Sequence, residues 1–236
     1  MRKLSFEVIE QLANKFRAEN GYSQSEPIHA KTILRQLNIL AVYRPLSPSA
    51  CGMSLRSKSG NCFMLINSNN PRGRQHFTIA HELFHLFYDE NPTPHICSSE
   101  GEKDVAEKNA DAFASALLIP RSGLFKLIPV DELSSKKISL STILKAEQYF
   151  EVSRQSLVNR LRALRLITED ERTAILALPI CETAKLYGYD IALYQKGNEN
   201  LIIGDFGDKA RRLYESEKIS EGHYMELLNL ISNGQN

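Results

Sequence analysis

Apolar positions in the first third of the chain change from a helical to a strand-like period. Val8, Leu12 and Phe16 recur at helical spacing, and the pattern predicts an amphipathic helix over residues 1–16. A second helix is predicted over residues 30–37, before the strand-like period begins. The chain therefore starts as a helical segment that leads into a β-rich one.

Three short β-rich segments follow, at residues 39–44, 51–56 and 61–67. Pro45, Pro48 and a Lys-Ser-Gly turn separate them. This spacing predicts a small antiparallel sheet whose last strand leads directly into the next helix.

The helical period returns after Asn70-Pro71, with Asn as the predicted cap and Pro in the first turn of a helix that runs to about Tyr88. Residues 99–102 have a capping-box pattern and predict another helix that ends at Pro120. The chain beyond Pro129 is predicted to be helical. A hairpin around Gly197 and a helix pair over 208–217 and 220–231 complete the prediction.

The helix that ends at Tyr88 is apolar on nearly all sides except at His81, Glu82 and His85. Burying such groups costs several kcal/mol unless they are paired or bind a metal. Four residues advance a helix by about 400°, so the two histidines lie one turn apart on one face and can share an ion. Glu82 lies about 100° around the helix, which suits a general base for a water activated by that ion.

The next helix offers a third metal ligand. Glu107, Ala110, Asp111 and Ala114 share one helical face, and the two alanines permit close approach to the histidine helix. Glu107 is predicted to complete the metal site, and Asp111 to accept the ring N–H of a ligating histidine. The alternatives are a buried core histidine pair and, for Asp111, a surface salt bridge.

Composition narrows the function classes. The chain has 236 residues, 42% of them apolar and 24% charged, and a net charge of +1, which excludes a globally basic nucleic-acid binder. Its scattered cysteines lack CxxC spacing and are predicted to be free thiols in a reducing compartment: Cys51, Cys62, Cys97 and Cys181. The amino terminus does not resemble a signal peptide, and no apolar run reaches membrane-spanning length. We therefore expect a soluble, cytoplasmic protein that does not enter a membrane.

The segments RQHFTIAHELFH and EKNADAFASALLIP resemble the ImmA/IrrE family of metallo-endopeptidases over roughly residues 20–170. The resemblance implies an α+β, minimal thermolysin-like (gluzincin) core with Zn²⁺, or Mn²⁺, on His81, His85 and Glu107, and with Glu82 as catalytic base. Two positions depart from the family pattern. Phe84 stands where Gly is frequent, and Asp111 where Asn is common.

A second candidate activity lies in residues 140–166, which resemble the helix-turn-helix-like segment that follows the catalytic part in this family. Arg154, Arg160, Arg162 and Arg165 would give the second helix of this segment a basic face, with the first three as the possible DNA contacts. An ordinary solvated helix face explains the same pattern, and DNA binding is the less favoured interpretation. The predicted division of the chain is a peptidase domain at 1–130, this helical segment at 131–175 and a docking or sensing module at 176–236.

The resemblance also implies the substrate, a helix-turn-helix (Xre-like) repressor of a phage, mobile-element, toxin-antitoxin or stress-response regulon. The alternative is a metal-stabilised regulator that binds DNA or sequesters the repressor without proteolysis. An intact Glu82 favours the peptidase, because a structural zinc needs no base and usually has four protein ligands. The strand at 61–67 is either an exposed edge that pairs with substrate or a buried core strand.

Overall fold

The computed structural model describes residues 2–89, 97–98 and 104–232. Helices occupy α1 (Phe6–Glu19), α2 (Ala30–Gln36), α3 (Arg72–Tyr88), α4 (Val105–Leu118), α5 (Arg121–Leu127), α6 (Val130–Ser135), α7 (Leu140–Phe150), α8 (Arg154–Ala163), α9 (Glu169–Leu176), α10 (Ile180–Leu186), α11 (Phe206–Glu215) and α12 (Glu221–Ser232). Strands occupy β1 (Ile39–Arg44), β2 (Ala50–Arg56), β3 (Cys62–Asn67), β4 (Cys97–Ser98) and β5 (Ile202–Ile203). The α+β prediction is confirmed.

The strands form one sheet in the order β4-β2-β3-β1-β5. Strand β1 runs parallel to β3, whereas the other neighbouring strands are antiparallel. The prediction of an antiparallel sheet was therefore wrong, and the sheet is mixed. The turn at Gly60 folds β2 and β3 into a hairpin, and β3 then lies between β2 and β1. Since β3 has a partner on both sides, residues 61–67 form a core strand and not an exposed edge.

Helix α3 begins one residue later than predicted and ends at Tyr88 as expected. Pro71 occupies the cap position with extended backbone (φ −55°, ψ 147°), and no side chain caps this end. Asn70 does not cap the helix. Its carbonyl instead accepts a hydrogen bond of 2.8 Å from Gln75 Nε2, which holds the loop against the first turn.

Helix α4 begins with Asp104, whose side chain accepts a hydrogen bond of 2.9 Å from the backbone N–H of Glu107. The capping box predicted at residues 99–102 lies outside the described residues. The helix ends at Leu118, just before Pro120, as the sequence predicted.

Close packing of α3 places the functional side chains. Ala110 and Ala114 of α4 are fully buried in the core that includes α3, as their small size predicted. On its other side α3 lies on β2, where Gly52 is required: a Cβ there would stand 2.7 Å from Thr78 Cγ2 and 2.7 Å from the carbonyl oxygen of Leu65. The histidine helix is thus held between a strand and a second helix.

The C-terminal part of the chain contributes to this sheet. Ile202 and Ile203 of β5 pair with Val42 and Ala41 of β1. The hairpin predicted around Gly197 does not form, because Lys196 on one side of it pairs with Pro71 and β5 on the other side pairs with β1. The predicted final helix pair is present as α11 and α12. The division at residues 130 and 175 stays a prediction.

Among the described residues, no helix combines the length and the apolar character that crossing a bilayer requires.

Candidate metal centre

His81 and His85 lie one turn apart on α3, as their spacing predicted. Their Nε2 atoms are 3.2 Å apart, and both side chains are almost completely buried, with exposed fractions of 1% and 3%. Two imidazole nitrogens so close together in an apolar interior are unfavourable unless a cation or a proton lies between them. The pair is therefore arranged to share an ion.

Glu107 closes this site from the first turn of α4. Its Oε2 lies 3.4 Å from His81 Nε2, and its Oε1 lies 3.2 Å from His85 Nε2. The three residues form a group whose potential ligand atoms all lie within 4.8 Å of one another. Two imidazoles and one carboxylate form the ligand set of many catalytic zinc sites, so the residues present fit the ion.

Two further carboxylates orient the histidines. His81 Nδ1 is 3.0 Å from Asp111 Oδ1, and His85 Nδ1 is 3.2 Å from Asp89 Oδ2. A carboxylate that accepts the Nδ1–H leaves Nε2 as the free donor for a metal. The contact predicted for Asp111 is present. Asp89 was missed, although it stands four residues after His85 and directly follows the helix.

The electrostatics of the cluster favour a cation. Burial lowers the pKa of His81, but hydrogen bonds with Asp111 and Glu107 outweigh that effect and raise it to about 9. In the absence of a metal, a proton occupies the position that the carboxylates stabilise. A divalent ion at Nε2 would replace this proton and receive the same stabilisation.

Glu82 is fully buried beside the histidines. Its Oε2 accepts a hydrogen bond of 2.6 Å from the Ser54 hydroxyl on β2. Its Oε1 is buried and has no hydrogen-bond partner among the described residues. A buried carboxylate oxygen without a partner is costly, and it indicates a position built to face a water or an ion. The sequence could not indicate Ser54, because the contact joins a strand to a helix 28 residues away.

By chemistry alone, Tyr88, His95 and His223 are also candidates for stabilising an oxyanion. Tyr88 packs its ring against Phe84 and Phe113, and His223 is exposed on α12. His95 lies outside the described residues. Phe84 is fully buried in the same aromatic cluster, and its ring also packs edge-on against His85.

The model of the peptidase M78 family, described as the IrrE N-terminal-like domain, matches residues 34–162. This range is more than half of the chain and contains His81, Glu82, His85 and Glu107. The chain belongs to this family. No curated protein matches it significantly.

The region that matches the IrrE N-terminal-like domain includes residues 154–162 of α8. The sequence suggested DNA contacts on this helix. Arg154 is fully buried, and its Nε donates a hydrogen bond of 2.8 Å to Glu147, which is also fully buried. Arg160 is buried as well and forms a bidentate pair with Glu10 at 2.5 and 3.0 Å. These two guanidinium groups are committed inside the fold and cannot contact DNA.

Arg162, unlike Arg154 and Arg160, is exposed, and its Nε lies 3.3 Å from Glu169. Arg165 is also exposed but lies beyond the end of α8. The expected continuous basic face on α8 is therefore absent. The helices α7 and α8, with the three-residue turn between them, do form the helix-turn-helix-like pair that was predicted. Arg154 joins α8 to α7 within this pair, whereas Arg160 joins α8 to Glu10 of α1 and to the carbonyl oxygen of Ile119.

Proposed function

We propose that this protein is a zinc-dependent endopeptidase. The observation that carries the proposal is Glu82, a buried carboxylate beside two histidines and Glu107 with one oxygen held by Ser54 and the other without a hydrogen-bond partner among the described residues. A general base needs one oxygen directed at its proton donor and an orientation that does not drift. The arrangement supplies both.

His81, His85 and Glu107 would hold the ion, which would supply a Lewis acid to polarise the scissile carbonyl and acidify water. Glu82 Oε1 takes the proton of the attacking water, and the same oxygen then delivers it to the leaving amine. Ser54 keeps Oε2 fixed during both transfers. Asp111 and Asp89 keep the imidazoles in the orientation that presents Nε2 to the ion.

A purely structural metal is the less favoured alternative. Structural zinc sites have four protein ligands, whereas among the described residues the group around His81, His85 and Glu107 contains three. Cys97 groups with His81 and Glu82, and it does not join the three-residue set within the same distance limit. An ion bound by three residues keeps a position open for water and substrate, which suits catalysis.

We infer that an extended substrate adds to the outer side of β2. Strand β4 covers that side only near Ala50 and Gly52. Among the described residues the outer side from Met53 to Arg56 has no strand partner, and Ser54 within it contacts Glu82. A peptide paired there by backbone hydrogen bonds would pass close to the general base.

The substrate we propose is a helix-turn-helix (Xre-like) repressor, as the family resemblance implies, and the active ion is Zn²⁺ or Mn²⁺. An enzyme with a preformed site must restrict its substrates by docking, and residues 176–236 are the part of the chain that we assign to docking or sensing. The competing hypothesis is that the protein sequesters the repressor without cutting it.

Incubation of the metal-loaded protein with a repressor encoded beside its gene tests the proposal. We expect one or a few fragments by mass spectrometry, and none with Glu82→Gln, which should still contain its metal. Release of the repressor from its operator by Glu82→Gln as effectively as by the wild type, without fragments, would establish sequestration instead.

A further inference from the structure

Two cysteines that have no role in the proposed mechanism face each other in neighbouring strands at the edge of the metal centre. Strand β2 has an irregular register opposite β4: Ala50 pairs with Ser98, and Gly52 pairs with Cys97. Cys51 is the extra residue between these pairs. In such a bulge two residues of one strand oppose a single residue of the other, so Cys51 and Gly52 both stand opposite Cys97.

This geometry suits a disulfide. The residue paired directly with Cys97 is Gly52, and such pairs have Cα atoms about 4.5 to 5.5 Å apart. Cys51 is its chain neighbour in the bulge, and a disulfide joins residues whose Cα atoms are about 4.4 to 6.8 Å apart. Gly52 has no side chain, so Cys51 is the residue of the bulge that can react with Cys97. The two thiols are already hydrogen-bonding partners.

Arg74 of α3 makes Cys51 the more nucleophilic of the pair. Its Nη2 donates a hydrogen bond of 3.3 Å to Cys51 Sγ. A guanidinium beside a thiol favours the thiolate form, so Arg74 favours ionisation of Cys51. One thiol that ionises easily beside a second thiol is the arrangement of a redox-active pair.

We propose that Cys51 and Cys97 are oxidised by hydroperoxides to a reversible disulfide that joins β2 to β4 in the wall of the metal centre. The Cys51 thiolate attacks a peroxide oxygen, the O–O bond breaks, and an alcohol or water leaves, so that Cys51 becomes a sulfenic acid. The Cys97 sulfur then attacks the Cys51 sulfur and the oxygen leaves as water. The two thiols lose two electrons, which the peroxide gains, and a dithiol reductant reverses the change.

Cys97 lies beside the side chains of the metal centre, so its oxidation changes the surroundings of that centre. Its sulfur, a nitrogen of His81 and an oxygen of Glu82 lie within 4.8 Å of one another. The disulfide therefore forms beside the general base and ties down the strand that borders it. An effect on cleavage rests on the proposed peptidase function, whereas formation of the bond does not.

The test uses hydrogen peroxide on the full chain, followed by unfolding without reductant and counting of thiols. We expect two of the four thiols to disappear, an intact mass lower by two hydrogens, and a peptide that links Cys51 to Cys97. The double variant Cys62→Ser/Cys181→Ser should form the same bond. Neither Cys51→Ser nor Cys97→Ser should lose a pair of thiols, and Arg74→Ala should react several-fold more slowly than Arg74→Lys.

Retention of all four thiols at peroxide concentrations that oxidise a redox-active reference protein would overturn the proposal. A bond between other cysteines, or oxidation of each thiol alone to a sulfinic acid, would overturn it equally. Since the readout is a bond and not a rate of proteolysis, an inactive peptidase would leave the result interpretable.

Discussion

The Ser54 hydroxyl and the Glu82 carboxylate are joined by a hydrogen bond of 2.6 Å that connects β2 to α3. Only one carboxylate oxygen is used in this contact, and the other has no hydrogen-bond partner among the described residues. Ser54 therefore acts as a positioning residue that selects which oxygen of the base faces the reacting water. It also ties the base to the strand that we assign to substrate binding.

Ser54→Ala should lower kcat about tenfold, because losing one hydrogen bond to a charged group costs about 1.5 kcal/mol. Metal content should not change, since Ser54 touches no ligand in our assignment. Steady-state kinetics and metal analysis together measure this. The matched control is Ser57→Ala, which removes an exposed hydroxyl that contacts Ser59. Equal activity of the wild type and Ser54→Ala would remove the positioning role.

His81→Ala and His85→Ala should each abolish stoichiometric metal binding, and Glu107→Ala should weaken it strongly, because each removes a direct ligand. Elemental analysis of dialysed protein would show about one divalent ion per wild-type chain. His223→Ala, on the exposed face of α12, should keep full occupancy. A fully loaded Glu107→Ala protein would mean that the third ligand has been assigned wrongly.

Asp111→Ala and Asp89→Ala should each reduce metal affinity or activity about 10- to 100-fold, because each frees the Nδ1 side of one histidine. Asp111→Asn should be milder, since an amide oxygen still accepts the same hydrogen bond. Competition with a chromogenic chelator measures the affinities. If Asp111→Ala binds metal like the wild type, its carboxylate is only a surface group.

The raised pKa of His81 predicts opposite pH trends with and without metal. In the metal-free protein its pKa of about 9 exceeds the ordinary value of 6.5. Protonated His81 therefore stabilises the folded, metal-free protein fully below pH 6.5, and this stabilisation is lost as the pH rises through 9. Metal must displace this proton, so affinity should rise by up to tenfold per pH unit over the same window.

Thermal unfolding with and without Zn²⁺ between pH 6.5 and 9 checks this prediction, with His81→Gln as the control. As the pH rises, the Tm of the metal-free wild type should fall relative to the Tm of His81→Gln. Over the same range, the increase in the Tm of the wild type on adding Zn²⁺ should become larger. Parallel curves for the two metal-free proteins would contradict the assignment.

Two arginines of α8 should differ sharply in their effect on stability. Arg154→Ala leaves Glu147 buried without its partner and should lower the free energy of unfolding by about 3 to 5 kcal/mol. Arg162→Ala removes an exposed ion pair with Glu169 and should change the free energy of unfolding by less than about 1 kcal/mol. Urea denaturation measures both. Similar small losses for the two variants would mean that Arg154 is solvated in solution.

The candidate metal-binding group could be predicted from the sequence because its geometry is local. The spacing of His81 and His85 within one helix fixes their relative position, and the small residues of α4 predict its approach with Glu107 and Asp111. Asp89 lies just beyond the end of α3, where helical periodicity no longer constrains a side chain. Its contact with His85 depends on the conformation of a single residue after the helix.

The remaining features depend on partners far away in the sequence. A helical pattern places Arg154 and Arg160 on α8, but it does not reveal that Glu147 and Glu10 cover them. The order of the strands has the same origin. Hydrophobic spacing predicts β1, β2 and β3, whereas only packing decides that β3 lies between the other two.

The pairing of β1 with β5 has a consequence for synthesis on the ribosome. Val42 can pair only after Ile202 has been synthesised, roughly 160 residues later. Synthesis of that length of chain takes about 10 to 30 s at usual elongation rates. For most of that interval the histidine helix is already synthesised, yet the outer edge of β1 presents unpaired N–H and C=O groups to other nascent chains. Deletions that remove β5 would make this temporary exposure permanent. They should yield insoluble protein rather than an unregulated peptidase.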